Sequence, residues 1–218
     1  MIFFFFSIAF ALWCRRELRQ FAIRLNKQAY ADLNYLLTLD LSEKAFMEKS
    51  QLNPKQSNLS WFFLFIFPSL SLLDFYFSLI FMILCFLALL DMQYYLTDTT
   101  YVALIFMLSL GHLLFRQPEN VEEHLFSLLA ISLFLTAFYF LTKLIYQKEV
   151  FGLGDIIILS ALSPLFNLQE MLILLFMAST SGLIWAFFYK LYFKQKLSRL
   201  PFVPFICFSS FIVVISKY

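Results

Sequence analysis

The sequence predicts an all-α, polytopic integral membrane protein of about eight transmembrane helices with its N-terminus outside. Three observations lead there. Hydrophobic residues make up 62% of the chain and charged residues only 14%, whereas a soluble domain carries roughly 25% charged residues to cover its surface. Apolar runs recur along the chain at residues 1–14 and at about 61–73, 75–90, 100–115, 125–147, 156–168, 171–192 and 202–216. The basic residues between those runs fall on one side of the membrane when the runs are threaded in order.

The first run, MIFFFFSIAFALWC, precedes Arg15, Arg16, Arg19 and Arg24. A cleaved signal peptide carries its positive charge ahead of the apolar stretch, so this run reads as an uncleaved first span. At 14 residues it is short, because a helix needs about 20 residues to cross. The membrane segment therefore continues into RRELRQFAIRL, whose arginines snorkel to the interface. Residues 25–60 are the sizeable polar region, helical at the centre, with NPKQSN as a loop. This gives an N-terminal span plus basic cytoplasmic segment over 1–60 and a membrane-embedded domain over 61–218. Runs 61–73 and 75–90 are parted only by Asp74; that charge and Pro68 favour two short spans over one long helix.

Charge placement tests the count. With the N-terminus outside, segment 15–60, Lys143 and Lys148, and the stretch from Lys190 to Arg199 are all cytoplasmic. Only Arg116 and Lys217 of the 16 basic residues are left on the opposite face. Cys14, Cys85 and Cys207 sit singly in apolar runs without a CxxC pair, so they read as small buried hydrophobes, with no metal site and no disulfide framework. His112 and His124 fall at the outer side as interfacial residues, and Asp74, Glu119, Glu122, Glu123 and Glu170 fall in outer loops where water satisfies them.

Two acids escape that explanation. Asp91 closes the run FMILCFLALL, and Asp155 opens IIILSALSPLF within FGLGDIIILSALSPLF. The topology puts both at the cytoplasmic edge of the membrane, on different helices. Ionisable groups at that depth cost roughly 2.5–3.5 kcal/mol on insertion scales and are usually functional. Two neighbouring carboxyls share one proton. The ionised member then activates water while the protonated one donates to a scissile carbonyl, which hydrolyses a peptide without metal or nucleophilic side chain. The chain has no HExxH, GxSxG or P-loop pattern. Gly152 and Gly154 flank the second acid, and they predict either a backbone freed for close approach of an extended substrate or a cap on the preceding helix.

These residues resemble the type IV prepilin peptidases, polytopic aspartic proteases of bacterial inner membranes. FGLGD matches the family's G-x-G-D motif. Asp91, 64 residues earlier, with Leu96, Thr97 and Asp98 matches D-x-x-x-x-[LI]-P-D-x-x-T, with Thr97 where proline is usual. LPFVPF at 200–205 is similar to P-F-G-P-F, with Val203 for glycine. Ile157 replaces a usual lysine, and the N-terminal CxxC pairs of full-length members are missing, as in short forms. The resemblance implies Asp91 and Asp155 as the catalytic pair, with Gly152, Gly154 and Asp98 supporting the active-site loop. It implies prepilin or pseudopilin substrates cut at the cytoplasmic face, the lipid bilayer as the other partner, no nucleic acid, and no cofactor for the peptidase. N-methylation of the new N-terminus with S-adenosylmethionine stays open. The alternatives are a presenilin-like intramembrane protease, disfavoured because Leu90 precedes Asp91 and no Pro-Ala-Leu motif occurs, and a proton- or cation-coupled transporter using the same carboxylates.

Overall fold

Lipid offers no hydrogen-bond partners to the main chain, so an apolar run that enters a bilayer satisfies its own N–H and C=O groups as a helix. The computed structural model follows that rule. It describes residues 2–37, 42–50, 52–55, 74–147, 152–193 and 199–216, with no strand among them. The chain divides into two units, 1–73 and 74–218.

In the first unit, α1 (Ile2–Leu37) runs unbroken through the apolar run and the arginines beyond it, as expected. It continues into the polar region, and a short α2 (Glu43–Lys49) follows near the centre of that region, where a helix was expected. Ser42 caps α2 by accepting from Ala45 N at 3.4 Å. Asn26 binds the returning chain twice, donating to Leu52 O at 3.0 Å and accepting from Ser50 Oγ at 2.7 Å. Lys27 and Glu43 pair at 3.8 Å beside the packed rings of Tyr30 and Phe46. The expected span over 61–73 and part of NPKQSN lie outside the described residues.

The second unit contains α3 (Phe75–Tyr94), α4 (Thr99–Arg116), α5 (Val121–Tyr146), α6 (Leu153–Leu162), α7 (Leu168–Phe193) and α8 (Val203–Ile215). Each of the six corresponds to one expected apolar run. Packing links them in a closed circuit: α3 on α4, α4 on α6, α6 on α5, α5 on α7, α7 on α8 and α8 back on α3. Among the described residues, four helices are long and apolar enough to cross a membrane: α3, α4, α5 with its preceding turn, and α7. The protein is thus a polytopic membrane protein. α6 and α8 are shorter, because Pro164 turns the end of α6 into a 3-10 turn (Ser163–Leu165) and α8 has 13 residues.

Side-chain pairs fix the register between neighbours. Between α3 and α4, Phe77 packs on His112 at 4.6 Å and Phe86 on Tyr101 at 4.9 Å, between ring centroids. Between α3 and α8, Phe81 meets Phe211 edge-on at 5.5 Å, Cys85 Sγ lies 3.6 Å from Cys207 Sγ, and Asp91 meets Val203. Both pairs of helices are antiparallel.

Several expectations change here. His112 and His124 are each only 4% exposed, buried rather than interfacial. His112 faces Phe77 and Tyr76, with Nε2 3.9 Å from Asp74 Oδ2, and His124 Nδ1 lies 2.8 Å from the Pro164 carbonyl. Asp74 pairs with Arg116 at 3.3 Å instead of relying on water alone. Glu170 accepts from Asn167 N at 3.0 Å while Asn167 Oδ1 accepts from Glu170 N at 2.8 Å, a reciprocal cap at the start of α7. Cys85 and Cys207, read as isolated, are neighbours.

Mild copper-phenanthroline oxidation of membranes should join Cys85 to Cys207 and leave Cys14 free, as read by peptide mapping under non-reducing conditions. Equal labelling of all three thiols after oxidation would contradict the α3–α8 register.

Candidate active site

Asp91 lies in the last turn of α3 and is 8% exposed. The helix ends beyond it at Tyr94. Tyr95 takes the left-handed conformation (φ 55°) and returns its N–H to the Asp91 carbonyl at 2.9 Å. The Asp91 side chain reaches α8. Its Oδ2 accepts from Val203 N at 3.0 Å, and the Phe202 N–H also donates to the carboxyl. These are N–H groups that a helix leaves unpaired at its start. Phe202, at the cap position, has no side-chain acceptor, and Pro204 follows in the first turn. A carboxylate from a different helix therefore serves as the cap of α8, where the positive end of the helix dipole favours negative charge. LPFVPF supplies main-chain donors here.

Asp155 occupies the third position of α6, after the cap residue Gly152. Its carboxyl turns back to accept from the Gly152 N–H. A Cβ at 152 would stand 2.9 Å from Asp155 Oδ2, so glycine leaves room for the carboxyl to fold back. At Gly154 a Cβ would overlap Thr97 Oγ1 and come within 2.9 Å of Thr97 Cβ. None of the glycines has positive φ. The expectation that 152 and 154 need unusual backbone angles is thus replaced by a requirement for space, taken up by Asp155 and Thr97. Nor does a glycine cap α5; Gln147 does so in the left-handed conformation (φ 51°).

The fold brings Asp91 and Asp155 together. They come from α3 and α6, and the charge of Asp91 acts on Asp155 by direct Coulomb interaction. Asp98 caps α4, accepting from Thr100 N at 2.9 Å. Ser132 on α5 bonds Ser160 on α6 at 3.1 Å, in an antiparallel pair also joined by His124 and Pro164. The last turns of α5 carry exposed Phe140, Leu144 and Ile145.

The Type IV leader peptidase family model matches residues 76–187. The chain belongs to that family. It is 31% identical over 163 residues, covering 71% of this chain and 67% of the relative, to the prepilin leader peptidase/N-methyltransferase of Haemophilus influenzae. A comparison with solved structures gives no match. Family membership makes the chain a protease and sets aside the presenilin-like and transporter readings. The matched region contains both acids and Thr97. Thr97 was visible in the sequence only as a departure from a motif; no signal there linked it to Gly154.

The relative's name includes methyl transfer, so the cavities bear on a methyl donor. A groove of about 500 Å³ beside α5 is lined by Leu129, Ser132, Leu133, Thr136, Ala137 and Phe140. One of about 460 Å³ along α1 is lined by Leu12, Ile23, Gln20 and three arginines. The first has no charged group for the donor's carboxylate or amine, and the second offers cations where a sulfonium needs the opposite. Neither fits S-adenosylmethionine.

Asp98→Ala should lower the thermal stability of detergent-solubilised protein by about 1 kcal/mol and change proteolysis less than tenfold, with Asp98→Asn restoring the stability. A loss of activity matching that of an Asp91 variant would show that Asp98 does more than cap α4.

Proposed function

We propose that the chain is an aspartic endopeptidase that removes the leader from prepilin or pseudopilin substrates, with Asp91 and Asp155 as its catalytic pair. The observation that carries this reading is two carboxyls from separate helices near enough for the charge of one to act on the other, each accepting from main-chain N–H groups at a helix start. Two such donors on Asp91 against one on Asp155 favour Asp91 as the ionised member. Asp91 then takes a proton from water as the water oxygen attacks the scissile carbonyl carbon. Asp155 gives its proton to the carbonyl oxygen. Collapse of the tetrahedral intermediate breaks the C–N bond, the new amine takes up a proton from the pair, and water re-enters.

In this reading residues 61–218 form the peptidase domain, and 1–60 an N-terminal span with a basic cytoplasmic segment. The protein sits in the bacterial inner membrane with its N-terminus outside, and cleavage takes place on the cytoplasmic side. The substrate's apolar helix lies in the bilayer and its leader faces the basic side.

Asp91→Asn and Asp155→Asn should each reduce leader cleavage of a co-expressed prepilin by more than about a thousandfold, measured by mass spectrometry. Both proteins should still insert, because asparagine keeps an acceptor for the helix N-terminus. Cleavage that persists in either variant removes that residue from the pair.

The pH profile of cleavage should be bell-shaped, with two macroscopic constants that belong to the pair. Activity falls at low pH as the base is protonated and at high pH as the shared proton is lost. A flat profile under conditions where chemistry limits the rate would contradict proton sharing.

A further inference from the structure

Residues 95–98 form a short link between the two helices that start and end beside the acids. The link leaves α3 through the left-handed Tyr95, whose N–H returns to Asp91 O at 2.9 Å, and enters α4 through Asp98, which holds Thr100 N at 2.9 Å. Thr97 is therefore fixed from both sides, six positions after Asp91. Across the gap lies the first turn of α6, with Gly154 directly before Asp155. A Cβ at 154 would overlap Thr97 Oγ1, lie 2.9 Å from its Cβ and 3.7 Å from its Cγ2. The turn thus docks with bare Cα against a threonine side chain. Threonine is branched at Cβ and stiff about χ1, which makes it a firm stop, unlike a longer flexible side chain. Gly154 is not needed for its backbone angles, since no glycine has positive φ.

We infer that Thr97 is a positioning residue: its side chain fills the space opposite Gly154 and thereby sets how closely Asp155 approaches Asp91. This rests on the peptidase reading for its consequence in catalysis, but the spacing itself is a property of the fold. The effect is steric. Valine has the same branched shape and keeps the stop, whereas glycine removes it and lets the turn shift. Alanine at 154 pushes the turn away from the loop. Glycine at 97 vacates the space that this alanine needs.

The test compares Thr97→Val, Thr97→Gly, Gly154→Ala and the double variant Thr97→Gly/Gly154→Ala with the wild type. Prepilin cleavage should stay within about threefold for Thr97→Val and drop about a hundredfold in kcat for Gly154→Ala, the size expected for a misplacement of about 1 Å. Thr97→Gly should lose about tenfold. The two limbs of its pH profile should draw apart as the carboxyls close up and their coupling strengthens. The double variant should recover to within about tenfold of wild type. A second readout does not depend on proteolysis. In protein with Cys14, Cys85 and Cys207 replaced by alanine, Asp91→Cys and Asp155→Cys are joined by a short bis-thiosulfonate reagent. The yield should fall on adding Gly154→Ala, rise or hold on adding Thr97→Gly, and return to its starting value when both are present. Failure of the double variant to recover either cleavage or cross-linking overturns the proposal, as does a Thr97→Val loss equal to that of Gly154→Ala. Cross-linking that follows this pattern, when the wild-type protein cuts no prepilin, would leave the spacing in place and overturn only the peptidase reading.

Discussion

The contact between the Asp91 carboxylate and the first N–H groups of α8 ties the membrane unit to its chemistry. It joins α3 to α8, across 112 residues of sequence, and so closes the circuit of packed helices. Without it, α8 would begin in an apolar setting with main-chain donors unpaired, which lipid punishes more heavily than water does. Without α8, the carboxylate would be buried with no donor aimed at it. Each group resolves the other's difficulty. A charge that the bilayer would otherwise expel is thereby held in place.

The second acid is held by a parallel device. Asp155 turns back onto the N–H of its own helix cap, and the glycine there leaves its carboxyl room. Both carboxyls thus take their orientation from helix starts, one borrowed and one their own. Main-chain donors are rigid and need no further side chains to hold them. That suits an active site assembled from a chain with few polar residues to spare, and the spacing between its halves falls to ordinary packing at Thr97 and Gly154.

How much of this was readable beforehand follows from the physics of lipid. Apolar runs must be helices, so α3 to α8 appear at the expected places, and the two acids stand out because the surrounding runs leave nothing else to explain them. What an apolar helix conceals is which way each residue faces. α7 is LQEMLILLFMASTSGLIWAFF over much of its length, apolar on every side, and nothing in such a pattern tells a packed face from a lipid face. For that reason the burial of His112 and His124, the meeting of Cys85 with Cys207 and the bond between Ser132 and Ser160 stayed hidden. Each depends on register between helices.

The shortness of α6 and α8 has a consequence for the surrounding lipid. With its 3-10 turn, α6 extends about 21 Å, and α8 about 20 Å. A hydrocarbon layer is about 30 Å thick. Next to the longer α5 and α7, these two helices impose a hydrophobic mismatch, and acyl chains beside them relax by thinning. Headgroups and their hydration are drawn inward along those faces. Thinning of that kind brings bulk water nearer to the starts of α6 and α8 than to the middle of α5 and α7.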